Sequence, residues 1–482
     1  MPYTPDWRSL RRHPVPEWLR DAKFGIYTHW GVYSVPACGP NGSWYPHNMY
    51  RSGTPQYEHH VKTYGGCERF GYKDFIPMLT GERFDADEWA GLFAESGARF
   101  AGPVAEHHDG FAMWDTRYSE WNAAKMGPKR DVVAELERAI RSRGLRFMVA
   151  LHHMENWFFY PHWRAGCDAA DPAFAGLYGE GHDEGASEDL DFGRQARPSV
   201  RALDRWYGKA EELIDRFLPD LIWFDFGLRY VREDYKKRLL AEYYGRAEAA
   251  GREVAALYKF NDLVAGAGVI DLELGRYGEL ARHDWITDTT VDDGEGWGYL
   301  RDAAYKPPAR LIHALIDNVS KNGGLLLNVG PKPDGSISDE AKAILREIGA
   351  WLRVNGEAIY DTTPWLFYGE GPTKMARSGD FTEGERLEYA PEDVRYTAKG
   401  DAIYAIALGW PKGGLLLRSL AELYPGEVRR VTLLGAGGEL RFAQGPGGLR
   451  VEFPPDRPCD HAFALKIETA PPTDSGGAKE VL

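Results

Sequence analysis

The sequence predicts a parallel (β/α)8-like barrel followed by an all-β sandwich, and three observations support this prediction. From about residue 23 to 330, short apolar runs alternate with amphipathic helical stretches. That alternation is typical of a parallel sheet, because each crossover between parallel strands needs a helix. Eight such runs occur, the number that closes a β/α barrel. From about residue 365 short strands separated by glycine and proline follow, which predicts a β-sandwich.

The expected elements follow from these patterns. The eight barrel strands are expected within residues 23–30, 98–108, 145–153, 220–226, 253–260, 269–273, 284–289 and 323–330. Helices are expected at 85–97, 131–144 and 311–324, each ending in a glycine suited to a C-cap, and a last helix within 339–360 closes the barrel. We therefore expect a barrel domain over residues 1–360, a sandwich over 361–470 and a disordered tail over 471–482.

Composition narrows the class of partner. A formal net charge of −14 disfavours nucleic acids and anionic membranes, which both need a positive protein surface. Neutral sugars stay compatible with that charge. The 16 Trp and 26 Tyr suit stacking on sugar rings, although we expect roughly two thirds of them simply to pack between helices. The sequence does not determine the oligomeric state, and it is compatible with an oligomer.

The cysteines and the N-terminus concern the cellular compartment. Cys38, Cys67, Cys167 and Cys459 are widely spaced without a CxxC pair, which predicts reduced thiols rather than a zinc site. The first residues lack the apolar segment of a signal peptide, and no later run is long enough to span a bilayer. Together these features predict a cytoplasmic protein.

Polar residues fall at the carboxyl ends of the predicted strands, where β/α barrels build their active sites. They are His29, His107, His108, His152, His153, Asp225 and Glu273. Asp225 follows the apolar run 221–224 and stands beside Trp223, so its carboxylate can act as a nucleophile towards an anomeric carbon. The alternative is a buried aspartate that caps a loop.

The paired histidines allow two interpretations. His107–His108 and His152–His153 can bind a divalent metal or donate hydrogen bonds to sugar hydroxyls. The metal ligand pattern is weak, since HExxH is absent and only Glu106 and Asp109 flank the histidines. We therefore predict no metal. His29, Trp44 and Trp297 lie near the same barrel face and predict a sugar-stacking pocket, with packing alone as the alternative.

Several strings resemble family 29 glycoside hydrolases, the α-L-fucosidases. They are FGIYTHWGVYSVP, SWYPHNMY, EHHDGFAMWDT, GPKRD, LIWFDF, VSKNGGLLLNVGPKPDGSI and WLRVNGEAIYDTTPW, spread from about residue 21 to 365. The resemblance implies a barrel without a cofactor that hydrolyses terminal α-L-fucosyl residues with retention, by a two-carboxylate double displacement. Its implied substrate is a fucosylated oligosaccharide or glycoconjugate.

Residue roles carry over by position. Asp225 matches the family nucleophile. The positions that match sugar-binding residues are His29, His107, His108 and Trp223, and Trp44 matches an aromatic beside the sugar. His153 and Trp297 are further substrate-binding candidates from their place at the same face.

The general acid/base is expected in the segment VIDLELGRYGEL, where Asp271, Glu273 and Glu279 are candidates. Glu273 is preferred because it ends an apolar run. A partly apolar surround and the Asp225 charge would raise its pKa and keep it protonated. A solvated loop glutamate is the alternative.

Three positions depart from the family pattern. Ser43 replaces a common Glu, Glu106 replaces a Lys, and Leu263 replaces a sugar-binding Arg, although Lys259 lies close by in the chain. These departures leave two other functions open: a catalytically weak sugar-binding protein on the same scaffold, and a retaining glycosidase for a related sugar such as an L-galactoside.

Overall fold

A computed structural model describes residues 3–180, 197–294 and 296–470. Its eight N-terminal strands form a closed barrel in chain order, and β1 pairs in parallel with both β2 and β8. The strands are β1 (Phe24–Thr28), β2 (Phe100–Glu106), β3 (Arg146–Leu151), β4 (Leu221–Phe224), β5 (Ala255–Lys259), β6 (Val269–Glu273), β7 (Trp285–Thr290) and β8 (Gly323–Val329). The predicted barrel and its eight strands are confirmed.

Helices connect the strands and cover the barrel. They are α1 (Trp7–Leu10), α2 (Glu17–Ala22), α3 (Tyr45–Asn48), α4 (Pro55–Tyr64), α5 (Ala86–Glu95), α6 (Val132–Ser142), α7 (Asn156–Phe159), α8 (Ala175–Tyr178), α9 (Val200–Phe217), α10 (Glu233–Ala249), α11 (Pro308–Ser320) and α12 (Asp339–Asn355). The side chains of Asp85, Asp131 and Ser199 cap α5, α6 and α9 by accepting hydrogen bonds from backbone N–H groups of the first turn. The helices predicted from sequence are all present.

The barrel strands are buried almost throughout, as parallel strands covered by helices should be. Most of them end one or two residues before the polar residues of interest. His29, His107 and Asp225 therefore lie just past β1, β2 and β4, where their side chains are released from the alternation of a strand but held by its end.

The C-terminal part forms two antiparallel sheets. Their strands are β9 (Thr363–Glu370), β10 (Val394–Lys399), β11 (Ala402–Ala407), β12 (Leu415–Leu417), β13 (Val428–Leu433), β14 (Phe442–Gly445), β15 (Gly448–Val451) and β16 (Phe463–Thr469). One sheet has the order β13-β16-β11-β10-β9 and the other β12-β15-β14. Both contribute side chains, such as Tyr396 and Leu449, to one apolar cluster, which makes this a sandwich as predicted.

Contacts divide the chain into two compact units that are not separated at one position. The first comprises residues 1–273, 285–306 and 325–346, and the second 274–284, 307–324 and 347–482. The second unit thus includes α11 as well as the sandwich. The boundary predicted at residue 360 stays a sequence prediction, and the predicted tail 471–482 lies outside the described residues.

The expectation of four reduced thiols is wrong. Cys67 and Cys167 form a disulfide across 100 residues, while Cys38 and Cys459 are not disulfide-bonded. Wide spacing in the chain concealed the pair, because the fold brings the two Cα atoms to 5.2 Å. The cytoplasmic prediction loses one of its supports. Within the described segments, no helix is long and apolar enough to cross a membrane.

Removal of this disulfide should destabilise the barrel unit. A long cross-linked loop limits the freedom of the unfolded chain, so Cys67→Ser/Cys167→Ser should lose about 2–5 kcal/mol of unfolding free energy. Calorimetry should show a Tm lower by several degrees. The matched control Cys38→Ser/Cys459→Ser should keep the parental Tm. Equal Tm values for both variants would contradict the prediction.

Candidate active site

Three buried histidines meet at the carboxyl end of the barrel. The ring of His107 stacks on that of His152 at 4.6 Å, and His29 stands edge-on to both, at 5.4 and 5.0 Å. His29 is oriented by Asn328 of β8, whose Oδ1 lies 2.8 Å from His29 Nδ1. Nδ1 of His107 and Nδ1 of His152 have no hydrogen-bond partner among the described residues. Buried polar atoms without a hydrogen-bond partner are typical of a site that binds polar groups of a ligand.

The electrostatics of this trio favour neutral rings. Burial lowers the pKa of His29 to about 4. Burial, and then the neighbouring histidines, also hold the pKa values of His107 and His152 well below the usual range. A neutral imidazole has one donor and one acceptor nitrogen, which matches the two-way hydrogen bonding of a hydroxyl group.

Asp225 lies beside His108, whose pKa is raised and not lowered as in the other three histidines. His108 Nε2 is 3.3 Å from Asp225 Oδ2, and His108 Nδ1 is 2.9 Å from the His152 carbonyl oxygen and 3.4 Å from Glu155 Oε2. Both ring nitrogens therefore face acceptors, which only the imidazolium satisfies. Burial alone would lower the pKa of His108, but the carboxylates of Glu155 and Asp225 more than reverse that effect and raise it. The charged ring of His108 thus faces Asp225 directly.

A second charged group surrounds Lys259 at the end of β5. Its Nζ lies 2.6 Å from Asp271 Oδ2, 2.6 Å from Asp288 Oδ1 and 3.6 Å from Glu273 Oε2. The Trp223 indole N–H donates to Asp271 at 3.0 Å, and the Tyr27 hydroxyl donates to Asp288 at 2.9 Å. Strands β1 and β4 to β7 thus all contribute a side chain to this group.

The three acid/base candidates differ in exposure. The Asp271 side chain is fully buried and already bound to Lys259 and Trp223, whereas 13% of the Glu273 side chain is exposed. Glu279 lies past β6 and is exposed. Burial raises the pKa of Glu273 well above its usual value, with Lys259 opposing the shift and Asp288 and Asp225 adding to it. Glu273 is therefore the candidate that is both partly exposed and favoured in its protonated form.

Aromatic rings enclose the histidines. Trp44 stands edge-on to His108 at 5.4 Å, Trp297 lies 5.5 Å from His29, and the ring of Trp223 lies 4.9 Å from His152. Trp223 is buried, so its contacts are with protein groups, while Trp44 is partly exposed. The structure thus brings the predicted Trp44, Trp223 and Trp297 to the histidine site.

His153 is the predicted residue that the structure does not bring there. Its Nε2 lies 3.3 Å from the Trp206 carbonyl oxygen and its ring stacks on Trp206. The preceding residue, His152, occupies the place beside His29 and His107 instead. Sequence alone could not separate these neighbours, since the turn after β3 decides which ring points inward.

The departures from the family pattern have visible consequences. Buried Glu106 is paired with buried Lys209, whose Nζ lies 2.6 Å from both carboxylate oxygens. Ser43 is buried and its hydroxyl donates to Asn41 at 3.1 Å. Leu263 is buried too, and Lys259 supplies a cation at the carboxyl end of the barrel.

Comparison with known proteins assigns the family. Residues 1–357 match the model of the alpha-L-fucosidase family, and residues 388–468 match that of the alpha-L-fucosidase C-terminal domain. The chain belongs to the α-L-fucosidase family. It is accordingly a glycoside hydrolase, an α-L-fucosidase, and the sequence-based assignment of enzyme class is confirmed.

Individual relatives align over nearly the whole chain of this fucosidase. It is 34% identical to plasma alpha-L-fucosidase of Homo sapiens over 487 residues, covering 96% of this chain and 92% of the relative. It is 32% identical to tissue alpha-L-fucosidase of Bos taurus, covering 96% and 91%. The solved structure of Thermotoga maritima alpha-fucosidase in complex with fucose superposes with a TM-score of 0.75 at 30% identity, covering 96% of this chain and all of the other.

Several residues of the fucosidase site were missed as site residues by sequence reasoning. They are Tyr27, Glu155, Asp288 and Asn328, while His152, Lys259 and Asp271 were named in the sequence but not chosen as site residues. A signal existed for Asn328. It is a polar residue near the carboxyl end of the apolar strand β8, and such a residue in a barrel strand is a site candidate.

The fucosidase should need no metal, although its histidine trio could hold one. One nitrogen each of His29, His107 and His152 lie within 4.8 Å of one another. Because two carboxylates suffice for glycoside hydrolysis, exhaustive chelation should leave kcat and KM unchanged. Elemental analysis should accompany the assay. Loss of activity that zinc or manganese restores would make the trio a metal site.

Proposed function

We propose that this family member is a retaining exo-α-L-fucosidase in which Asp225 is the nucleophile and Glu273 the general acid/base. The observation that carries the proposal is the pairing of two carboxylates with opposite surroundings at the carboxyl end of one barrel. Asp225 contacts His108, which has a raised pKa, whereas Glu273 lies in a group of other carboxylates that favours its protonated form. Such a division of environment assigns base and acid roles.

The chemistry follows from this arrangement. An Asp225 oxygen attacks the anomeric carbon while Glu273 gives its proton to the leaving oxygen, so a glycosyl–aspartate bond forms as the glycosidic bond breaks. Glu273, now a carboxylate, takes a proton from water. The water oxygen attacks the same carbon, releases Asp225 and yields fucose with the original anomeric configuration.

Recognition of a terminal sugar is proposed for the buried histidines. The neutral rings of His29, His107 and His152 offer donors and acceptors to ring hydroxyls, and the partly exposed Trp44 can stack beside them. Because these groups are buried at the carboxyl end of the barrel, they suit the binding of a single terminal sugar of a glycan. The substrate is therefore proposed to be a fucosylated oligosaccharide or glycoconjugate. His153 stays a predicted ligand without supporting contacts.

Other expectations remain predictions. A cytoplasmic location is not supported by the cysteines, since the Cys67–Cys167 disulfide favours an oxidising compartment. Oligomeric state is open. Exclusion of nucleic acids and membranes as partners rests on the net charge of −14.

The nucleophile is tested by Asp225→Asn. Loss of the attacking oxygen should lower kcat on an aryl α-L-fucoside by roughly three orders of magnitude or more. Azide should restore part of the rate and yield β-fucosyl azide, identified by NMR. The exposed helix variant Asp215→Asn should keep full activity. Turnover by Asp225→Asn near that of the control would overturn the assignment.

The acid/base is tested by Glu273→Ala. Cleavage of an aryl fucoside with an acidic leaving group needs no proton, so glycosylation should persist while deglycosylation slows. The intermediate should accumulate, and KM should fall together with kcat. Cleavage of fucosyl-oligosaccharides should be lost. A crystal structure should place the carboxyl groups of Glu273 and Asp225 about 5–5.5 Å apart.

The other carboxylates of the segment supply the controls. Glu279→Ala should behave like the parent, because Glu279 is exposed. If Asp271→Ala instead showed low KM with low kcat on the aryl fucoside and Glu273→Ala did not, the acid/base role would belong to Asp271.

A further inference from the structure

Lys259 is the centre of a buried charge group that the two-carboxylate mechanism does not itself require. The ammonium is fully buried and lies 2.6 Å from both Asp271 and Asp288. Two aromatic rings lie near it, Trp223 with its centroid 4.9 Å from Nζ and Phe226 at 5.5 Å. These contacts restrict the movement of the ammonium.

The third carboxylate near Lys259 is the proposed acid/base. Glu273 Oε2 lies 3.6 Å from Nζ, which is a looser contact than the 2.6 Å contacts of Asp271 and Asp288. Glu273 is also the most exposed of the three carboxylates. Asp271 and Asp288 thus position the ammonium, and the ammonium faces the residue that must gain and lose a proton.

The charges of this group do not balance. Asp225 is paired with the His108 imidazolium, so Asp271, Glu273 and Asp288 stand against the single ammonium of Lys259, while Tyr27 and Trp223 contribute only neutral donors. If all three of these acids were ionised, they and the ammonium would carry a net charge of −2, which burial disfavours. A proton is therefore retained among the carboxylates, and Glu273 is the accessible place for it.

We propose that Lys259 is a positioning residue for the acid/base, held by Asp271 and Asp288 so that its ammonium keeps Glu273 able to release its proton. The inference rests on the proposed role of Glu273. During the first step Glu273 loses its proton to the leaving group and becomes a carboxylate in a site that already holds three others. The ammonium 3.6 Å away stabilises that carboxylate until it takes a proton from water.

The pKa directions agree with this geometry. Burial would lower the pKa of Lys259, but Asp271, Asp288, Glu273 and Asp225 raise it well above the usual value, so it stays charged. For Glu273 the raised pKa comes from burial and from Asp288, Asp225 and Asp271, and Lys259 opposes it. Removal of Lys259 should therefore raise the pKa of Glu273 further, and removal of Asp288 should lower it.

The test is the alkaline limb of the pH profile of kcat/KM, measured with a fucosyl disaccharide whose leaving group needs a proton. That limb reports loss of the Glu273 proton in the free enzyme. Lys259→Met removes the ammonium and should move the limb up by about one pH unit or more. Asp288→Asn removes a carboxylate and should move the same limb down. Lys259→Arg keeps the charge and should leave the limb near the parental pH.

A matched control is Lys209, another buried lysine that binds a carboxylate in the barrel unit. Lys209→Met breaks the pair with Glu106 and should lower Tm without moving the alkaline limb. If Lys259→Met does not fold, Asp288→Asn and Lys259→Arg still decide the result by the same measurement. General damage to the site would not shift one limb in two opposite directions.

The outcomes separate this inference from the proposed function. If Glu273→Ala still cleaves the disaccharide with the parental alkaline limb, Glu273 is not the acid and the proposed function fails. If Glu273→Ala loses cleavage of the disaccharide but neither Lys259→Met nor Asp288→Asn moves the limb, the acid/base stands and only the role of Lys259 is overturned. Shifts of both variants in the same direction would overturn it as well.

Discussion

The parallel pairing of β8 with β1 is the constraint on which the site depends, because it closes the barrel. Thr28 is in register with Val329, and the His29 N–H donates to the Val329 carbonyl at 3.0 Å just beyond the strand. The same seam places Asn328 beside His29. Closure therefore does more than complete the sheet. It fixes the first histidine of the site against a residue almost 300 positions later in the chain.

Closure also buries carboxylates at the strand ends, and their desolvation costs free energy. Buried lysines offset this cost. Lys209 binds both oxygens of Glu106, and Lys259 binds Asp271 and Asp288 beside the proposed acid/base Glu273. A buried carboxylate without such a partner would be strongly destabilising. Lys209 thus stabilises Glu106, and Lys259 stabilises Asp271 and Asp288.

The two carboxylates proposed as catalytic acquire different properties from this arrangement. Asp225 is held by an imidazolium whose other nitrogen is bound to a carbonyl oxygen. Glu273 instead stands among acids, with one cation at a longer distance. Different neighbours thus give the same kind of side chain the properties of the proposed nucleophile and of the proposed proton donor.

Sequence by itself determined the eight strands, the sandwich and the family, because apolar runs and the polar residues that follow them are local patterns. For the same reason it located His29, His107, His108, Asp225 and Glu273 at the carboxyl end of the barrel. Tertiary structure alone decided that His152 rather than His153 faces the histidine site, that Cys67 meets Cys167, and that Lys259 lies among three acids. Each of these depends on distances between segments far apart in the chain or on the direction of a turn, and neither quantity is encoded in a local pattern.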